Sequence, residues 1–458
     1  NYIVGMDLGQ QSAVITYLEH KTLKPEVYDL SGGYGELSVP LVLQYHFSDN
    51  SWLIGHDAKL NQEQENTFFV DDLRGVLLRN EVIQIGKEQF LPFQLLQIYI
   101  EKILDSFKHL NPKYSIIGIG IALSDWDFKP LKPPVERALA GIYDVKATIV
   151  PATLSLYRYL QQEGASLQGE TQFIDFGYGC LSTTLAYQKD QKWIIKPKTR
   201  KMELSVAAIG ASIIKEMTSF YQDIKGSKVI EFQEQQALKD LFEASFARLL
   251  QKYGKKEPVK IVYNFAYPPV QQTLSYESMQ AILQPFERLW CDYLAELNAE
   301  TDKFLFMGQG LKMPWLREFI SKDLNQKGYI PIDVVAKGSC YMAAKDYVPY
   351  NDLELTIEEE KHKKYSLVFQ SDDPYVIPLT ISQENQEEVA LTHLWILDFE
   401  ETKSLVVQLI SEQGEEITIE AEKVIANELT YENKGRLYFK LVLTSDKKAQ
   451  MTLEVLPL

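Results

Sequence analysis

Short apolar runs alternate with longer amphipathic stretches over the first 350 residues. Runs such as "NYIVGMDLG", "YSIIGIGIAL" and "KFLFMGQG" are short and end at glycine or an acid, which predicts strands. Stretches such as "LPFQLLQIYIEKILDSFKHL" and "QQALKDLFEASFARLLQKYG" repeat apolar residues at helical spacing and predict helices. Because strands alternate with helices, the pattern indicates an α/β domain over residues 1–350.

The pattern changes in residues 352–458, where apolar and polar residues alternate over short lengths, as in "KYSLVFQ", "SLVVQLIS" and "RLYFKLVLTS". This predicts an antiparallel β-sandwich without a long helix. The connector "KDYVPYNDLELTI" is short and contains proline, so it is not a long flexible tether. Within the predicted sandwich, Leu391 to Phe399 would supply either an apolar groove or part of the core.

Charge supports the same boundary near residue 350. Residues 351–458 hold 22 acidic and 10 basic residues, which is −12 of the total net charge of −16. An acidic chain is a poor candidate for general nucleic-acid binding. No apolar run approaches the roughly 20 residues that span a bilayer, and we expect neither a membrane segment nor a signal peptide. The three widely spaced cysteines indicate a reducing compartment, and we expect a cytoplasmic protein.

Two strands end in an aspartate followed by a glycine turn, in "YIVGMDLGQQSA" and in "FIDFGYGCLSTT". Each is either a plain β-hairpin or a site where backbone N–H groups of a glycine turn meet a phosphate. In the second case Asp7 and Asp175 would hold the waters around Mg²⁺. The repetition predicts two related halves, about 1–170 and 171–350, that face one cleft.

Two further segments carry small residues beside predicted elements. In "KFLFMGQGLKMPWLREFI" a strand leads into Gly308 and Gly310, which either admit an adenine or ribose or form a tight strand–helix turn. In "IPIDVVAKGSCYMAAK" Gly338 and Ser339 lie in a helical run, where they would let another helix approach closely.

In their order, these segments resemble the seventy-kilodalton heat-shock chaperones, the DnaK-type members of the actin-like ATPase superfamily. Further segments that carry the resemblance are "LSVPLVLQY", "LIGHDAKLNQ", "ENTFF" and "AIGASII". The resemblance implies an actin-like nucleotide-binding domain of two lobes around a cleft, followed at 352–458 by a β domain that binds peptide. The α-helical lid of that family has no counterpart here.

The resemblance also implies the ligands, ATP or ADP with Mg²⁺, and the residues around them. Asp7 and Asp175 would organise Mg²⁺ through water. The residues implied to border the nucleotide are Asp7, Gly9, Gln10, Gln11, Asp175, Gly177, Gly179, Gly210, Gly308, Gln309, Gly310 and Lys312.

Departures from the family pattern fall on residues implied in hydrolysis. Gln10 stands where the family has threonine, and Ser182 where it has aspartate. Asp72 stands in the register of the catalytic lysine, although Arg74 nearby could supply positive charge, and Val150 stands in the register of a glutamate. Because phosphoryl transfer depends on positioning and charge stabilisation, we expect weak or absent ATPase activity. A nucleotide sensor, a slow ATPase and an empty site all stay open.

The sequence therefore predicts a heat-shock-chaperone-like nucleotide-binding protein, whose nucleotide state is coupled to a β domain that binds protein or peptide. The alternative is a non-hydrolysing actin-like scaffold or regulatory assembly protein. A third candidate is a small-molecule kinase of the same superfamily, in which Asp125 or Asp127 of "LSDWDFKP" would activate the acceptor.

Overall fold

The fold is taken from a computed structural model. It describes residues 1–31, 37–61, 65–113, 115–142, 146–164, 169–189, 192–298, 304–312 and 330–345, together with eight strands between 354 and 457. The chain divides into two compact units. The first holds Asn1–Lys198, Leu294–Lys312 and the described part of Phe319–Thr356, and the second holds Thr199–Tyr293 and the described strands after residue 356.

Strands and helices alternate through the first 345 residues. The helices are α1 (Gly55–Leu60), α2 (Leu73–Arg79), α3 (Pro92–Leu110), α4 (Phe128–Ala140), α5 (Ala152–Gln162), α6 (Val206–Lys225), α7 (Phe232–Gly254), α8 (Tyr276–Asn298) and α9 (Val334–Ala343), with a 3₁₀ turn at Gln309–Lys312. The strands of this part are β1 (Tyr2–Leu8), β2 (Ser12–Glu19), β3 (Pro25–Val27), β4 (Val39–Pro40), β5 (Leu43–His46), β6 (Ser51–Ile54), β7 (Thr67–Val70), β8 (Ile83–Ile85), β9 (Glu88–Phe90), β10 (Ile116–Leu123), β11 (Lys146–Pro151), β12 (Thr171–Phe176), β13 (Leu181–Lys189), β14 (Lys192–Lys201), β15 (Val259–Tyr263), β16 (Val270–Leu274) and β17 (Phe304–Met307).

The remaining strands lie in the C-terminal region. They are β18 (Glu354–Ile357), β19 (His362–Gln370), β20 (Tyr375–Ser382), β21 (Val389–Leu391), β22 (Val406–Ser411), β23 (Glu416–Ala421), β24 (Gly435–Ser445) and β25 (Lys448–Pro457).

Two sheets of the first unit share one arrangement. The first sheet has the order β11-β10-β1-β2-β3, with β4 beside β2, and the second has the order β17-β12-β13-β14-β18. In the first, β1 pairs antiparallel with β2 and parallel with β10, which continues parallel into β11. In the second, β12 pairs antiparallel with β13 and parallel with β17. Each sheet is thus built on a central strand with a hairpin partner on one side and a parallel strand on the other.

Helix α9 packs against the first sheet and against α5. A Cβ on Gly5 or Gly120 would overlap the backbone of α9, and a Cβ on Gly338 would overlap the carbonyl oxygen of Ser155 in α5. The Ser339 hydroxyl lies 2.8 Å from the carbonyl oxygen of Ala336 and 3.3 Å from that of Gly120. Small residues in this helix therefore allow a close helix–helix approach, as the sequence predicted.

The second unit contains α6, α7, α8 and the β15–β16 hairpin. Its core includes Trp290, Tyr293 and Tyr263, all fully buried, and the Tyr263 hydroxyl donates to Oε1 of Gln272 at 2.5 Å. Gly210 on α6 faces the ring of Phe242 on α7. Among the described residues, no helix combines the length and the apolar composition needed to cross a membrane.

The described residues after 356 are all in strands, in the order β20-β19-β22-β23-β25-β24-β21. The pairs are antiparallel, as predicted, except that β23 and β25 run parallel. β24 lies between β23 and β25 along the chain and runs antiparallel to β25, so β25 has the same direction as β23. Most of the predicted apolar segment from Leu391 to Phe399 lies outside the described residues. The boundaries predicted at residues 170 and 350 stay predictions.

Candidate functional site

Both predicted glycine turns are hairpin turns, and they have the same register. In the first, Asp7 pairs with Val14, and the N–H of Gly9 donates to the carbonyl of Ser12 at 3.0 Å. The aspartate is the last residue but one of its strand. The hairpin interpretation is therefore right as a local description of this turn.

The second turn repeats the first almost residue for residue. Asp175 pairs with Ser182, and the N–H of Gly177 donates to the carbonyl of Cys180 at 3.0 Å. Asp175 is again the last residue but one of its strand. The weak similarity between the two sequence segments thus corresponds to two hairpins with one backbone design.

The structure brings these two turns into contact. The exposed side chain of Gln10 in the first turn lies over Gly179 in the second, and a Cβ on Gly179 would overlap the Gln10 carboxamide. Gly179 is buried, although its neighbours Tyr178 and Cys180 are partly exposed. Asp7 and Asp175 lie close enough for the charge of Asp175 to raise the pKa of Asp7.

The acids lie where the carboxyl ends of several strands meet. Burial, the charge of Asp175 and the charge of Asp125 raise the pKa of Asp7 to about 7, whereas Arg74 opposes that rise. Burial and Asp125 raise the pKa of Asp175 to about 6, again against the effect of Arg74. All three carboxylate residues keep part of their surface exposed. We refer to the partly exposed surface around Asp7, Asp125 and Asp175 as the cleft, and its carboxylates are desolvated by burial.

Among the described residues, Arg74 is the cation that acts on Asp7 and Asp175. It is 7% exposed; its Nη2 lies 2.6 Å from Oδ2 of Asp127, and its Nη1 donates to the carbonyl of Leu8 at 3.2 Å. The side chain therefore ties α2 to the first hairpin turn and to the start of α4. A small cavity of about 10 Å³, lined mainly by leucines, lies beside Arg74 and Gly9.

Asp72 has a structural role instead. Its Oδ1 accepts a hydrogen bond from the N–H of Gly75 at 2.9 Å and so caps α2, while Oδ2 pairs with Arg79 at 3.0 Å. The family resemblance aligned Asp72 with a catalytic lysine, whereas in the structure Asp72 is the N-terminal cap of α2. Two residues later, Arg74 extends to the cleft.

Sequence reasoning missed Asp125 as a member of this cluster and considered it only for a kinase. Asp125 accepts hydrogen bonds from the N–H of Thr153 at 3.1 Å, from the Thr153 hydroxyl and from the hydroxyl of Thr184. These bonds join the end of β10 to the start of α5 and to β13. The available signal was that Asp125 comes two residues after the end of β10, a strand parallel to β1, and parallel strands end at the same edge of a sheet.

The third glycine segment packs on the second hairpin. Gly308 follows β17, has a φ of 103° and would, with a Cβ, overlap Oδ1 of Asp175; a Cβ on Gly310 would overlap the ring of Phe176. Glycine is needed here for close packing, and the packing brings this turn beside Asp175. Gln309 and Lys312 are the first and last residues of the 3₁₀ turn that contains Gly310, and their side chains lie outside the described residues.

Two other predicted residues are placed as follows. Gln11 is exposed in the first turn, and its carbonyl accepts from the N–H of Leu41 at 2.8 Å. Gly210 lies in the second compact unit, where its contact with Phe242 accounts for the small residue.

The cleft lacks a closed set of direct metal ligands in the described ranges, where no three His, Cys, Asp or Glu side chains form a group that could hold an ion. Mg²⁺ commonly keeps several waters and takes only one or two carboxylates. Asp7 and Asp175, which are partly exposed and close enough to interact electrostatically, fit an ion held through water.

Part of the chain matches the profile of a protein family. The profile of a family described as "Family of unknown function (DUF5716) C-terminal" matches residues 24–133. The matched region includes Arg74, Asp125 and Asp127 but neither hairpin turn. A search of curated proteins found no match.

Proposed function

We propose that the first unit binds a nucleoside di- or triphosphate with Mg²⁺ in the cleft between the two hairpin turns. The observation that carries this proposal is the pair of hairpins with equal register, whose aspartates Asp7 and Asp175 lie together and partly exposed. The repeated sheet arrangement supports an actin-like ATPase fold of two related lobes. Glycine turns that let a ligand approach the backbone closely, with an acid beside them, are suited to phosphate and hydrated Mg²⁺.

Charge in the cleft supports a cation as part of the ligand. Three carboxylates meet here, those of Asp7, Asp125 and Asp175; among the described residues the cation that acts on Asp7 and Asp175 is Arg74, which already pairs with Asp127. Because these desolvated carboxylates outnumber the positive charge beside them, they repel a polyphosphate without a metal ion. A divalent cation between them and the phosphates reverses that repulsion. When bound, Mg²⁺ would neutralise charge on the phosphate oxygens. Asp7 and Asp175 would orient its waters, and Arg74 would hold the first turn in place through Leu8.

Weak or absent hydrolysis fits the residues that stand at the positions where the chaperone resemblance implies hydrolytic groups. Ser182 lies opposite Asp175 and is buried, Val150 is buried in β11, and Asp72 caps α2. None of the three provides the acid or the lysine that the chaperone resemblance implies for hydrolysis. Loss of one group that stabilises the transition state typically costs about 100-fold in rate or more.

In this proposal the nucleotide state biases a β domain at 352–458 that binds protein or peptide. The strand-only character of the described residues after 356 supports the β domain. A bound nucleotide can shift such an equilibrium only through different contacts in the two states. None of the three cysteines, Cys180, Cys291 and Cys340, is in a disulfide, which supports a reducing, cytoplasmic location.

The test is isothermal titration calorimetry of the whole chain with MgATP and MgADP. The variants are Asp7→Asn and Asp175→Asn, which keep side-chain size and remove charge. The control is Asp105→Asn, at an exposed position of α3. We expect binding by the wild type and the control, and a loss of affinity of about tenfold or more in both cleft variants, because charge-assisted contacts are worth about 1.5 to 3 kcal/mol.

Two results would contradict the proposal. Binding that survives both cleft variants with unchanged affinity would place the nucleotide elsewhere. Absence of any binding by the wild type, in a protein whose circular dichroism shows it folded, would favour a scaffold without nucleotide.

A further inference from the structure

Gln10 occupies the space between the two hairpin turns. Its carboxamide lies where a Cβ on Gly179 would be, so it covers the one buried residue of the second turn, between partly exposed Tyr178 and Cys180. Because Gly179 has no side chain, another group can approach its backbone closely. In this structure that group is the side chain of Gln10, from the first turn of the same protein.

Any anion that reaches the backbone of Gly179 has to displace Gln10. An anion that contacts only the first turn, at Gly9, leaves Gln10 in place. The difference grows with the length of the polyphosphate, because a longer chain fills more of the gap between Asp7 and Asp175. Gln10 is exposed and long, so its displacement costs the contacts that it makes with Gly179 but requires no movement of the backbone.

We propose that Gln10 is a specificity-determining residue that makes the cleft favour nucleoside diphosphates over triphosphates. This inference rests on the proposed nucleotide site and deepens it. A terminal phosphate between the turns competes with the Gln10 carboxamide for the Gly179 backbone, and a diphosphate avoids that competition.

The experiment measures the Kd of MgADP and of Mg²⁺ with a non-hydrolysable ATP analogue by calorimetry. It uses the full chain as wild type, Gln10→Ala and Gln10→Ser. The control, Gln89→Ala, removes an exposed glutamine from the β8–β9 hairpin of the same unit. Thermal melts of each variant check that the fold is kept.

We expect the wild type and Gln89→Ala to bind MgADP more tightly than the triphosphate. Both Gln10 variants should bind the triphosphate about threefold to tenfold more tightly than the wild type, since the triphosphate no longer has to displace a polar contact, and one such contact is worth about 0.5 to 1.5 kcal/mol. The Kd of MgADP should change by less than about twofold. If Gln10 only held the two turns together, both Gln10 variants would bind MgADP and the triphosphate more weakly than the wild type does.

An unchanged ratio of the two Kd values, or equal weakening of both ligands, would overturn this inference and leave the proposed site standing. Failure of every protein to bind either nucleotide would overturn both.

Discussion

The aspartates at the ends of β1, β10 and β12 lower the stability of the fold when they are ionised. Burial and mutual repulsion raise the pKa values of Asp7 and Asp175, so the folded state resists the negative charge that these groups carry in water. Burial also raises the pKa of Asp125, and its hydrogen bonds from Thr153 and Thr184 offset that rise only in part. Residues that oppose stability in a cleft are typical of functional sites.

This gives a prediction for the pH dependence of stability. The pKa of Asp7 is 3.8 in the unfolded chain and about 7 in the fold, so its favourable contribution is complete below pH 4 and lost as pH rises through 7. Asp7→Asn should therefore be more stable than the wild type by about 1 to 3 kcal/mol at pH 8, after allowance for the partial exposure of Asp7. Its advantage should shrink towards pH 4.

The measurement is urea unfolding of the wild type and the variant at several pH values between 4 and 8, without nucleotide. Asp105→Asn is the control, and its difference from the wild type should stay flat with pH. A flat difference for Asp7→Asn as well would mean that Asp7 is not desolvated among the other acids.

At the scale of the element, packing overrides local preference. Helix α4 begins at Phe128 and contains Pro133 and Pro134 in its interior. Proline removes a backbone donor and costs a helix about 3 kcal/mol in its interior. The helix persists because Phe128, Leu131 and Val135 bury one face, which compensates for the missing hydrogen bonds.

Helix α9 offers a test of close packing. Glycine to alanine in an exposed helix raises stability by about 1 kcal/mol. At Gly338 the new methyl group would overlap the carbonyl oxygen of Ser155, which belongs to the backbone of α5 and cannot rotate away. We therefore expect Gly338→Ala to lower the free energy of unfolding by about 1 to 3 kcal/mol.

The matched control is Gly210→Ala in α6, where the new methyl group would lie 2.9 Å from the ring tip of Phe242. A ring tip moves at low cost, so this change should stay within about 1 kcal/mol of the wild type. Both are measured by chemical unfolding monitored by circular dichroism. Equal effects of the two substitutions would contradict the distinction between backbone and side-chain neighbours.

At the scale of the whole molecule, the acid excess of the cleft predicts that nucleotide binding depends on the metal. Ligand at about 100 times its Kd adds about 2.7 kcal/mol to the stability of the state that binds it. We expect MgADP to raise the melting temperature of the wild type, and EDTA to abolish the increase, because the acids then repel the bare phosphates.

Differential scanning fluorimetry at fixed protein concentration measures this increase. Asp175→Asn gives the comparison, since it removes one repelling carboxylate and one partner of the hydrated ion. An increase that persists in EDTA, in wild type and variant alike, would show that binding needs no cation and would contradict the role given to the acids.

The sequence by itself determined the local structures. A strand that ends in an acid and a glycine turn specifies a hairpin, because alternation and turn chemistry act over a few neighbouring residues, and both hairpins occur at the predicted places. Long helices such as α3, α7 and α8 follow for the same reason, since their periodic apolar positions extend over several turns.

Only the tertiary structure decided which groups face the cleft. Asp72 and Arg74 are two residues apart, yet one caps α2 and the other reaches Leu8 and Asp127. Asp125 joins the acids, and Gln10 covers Gly179, through contacts between residues far apart along the chain. Such contacts depend on how the sheets and helices pack, and a pattern read along one segment holds no information about the segment that will lie opposite.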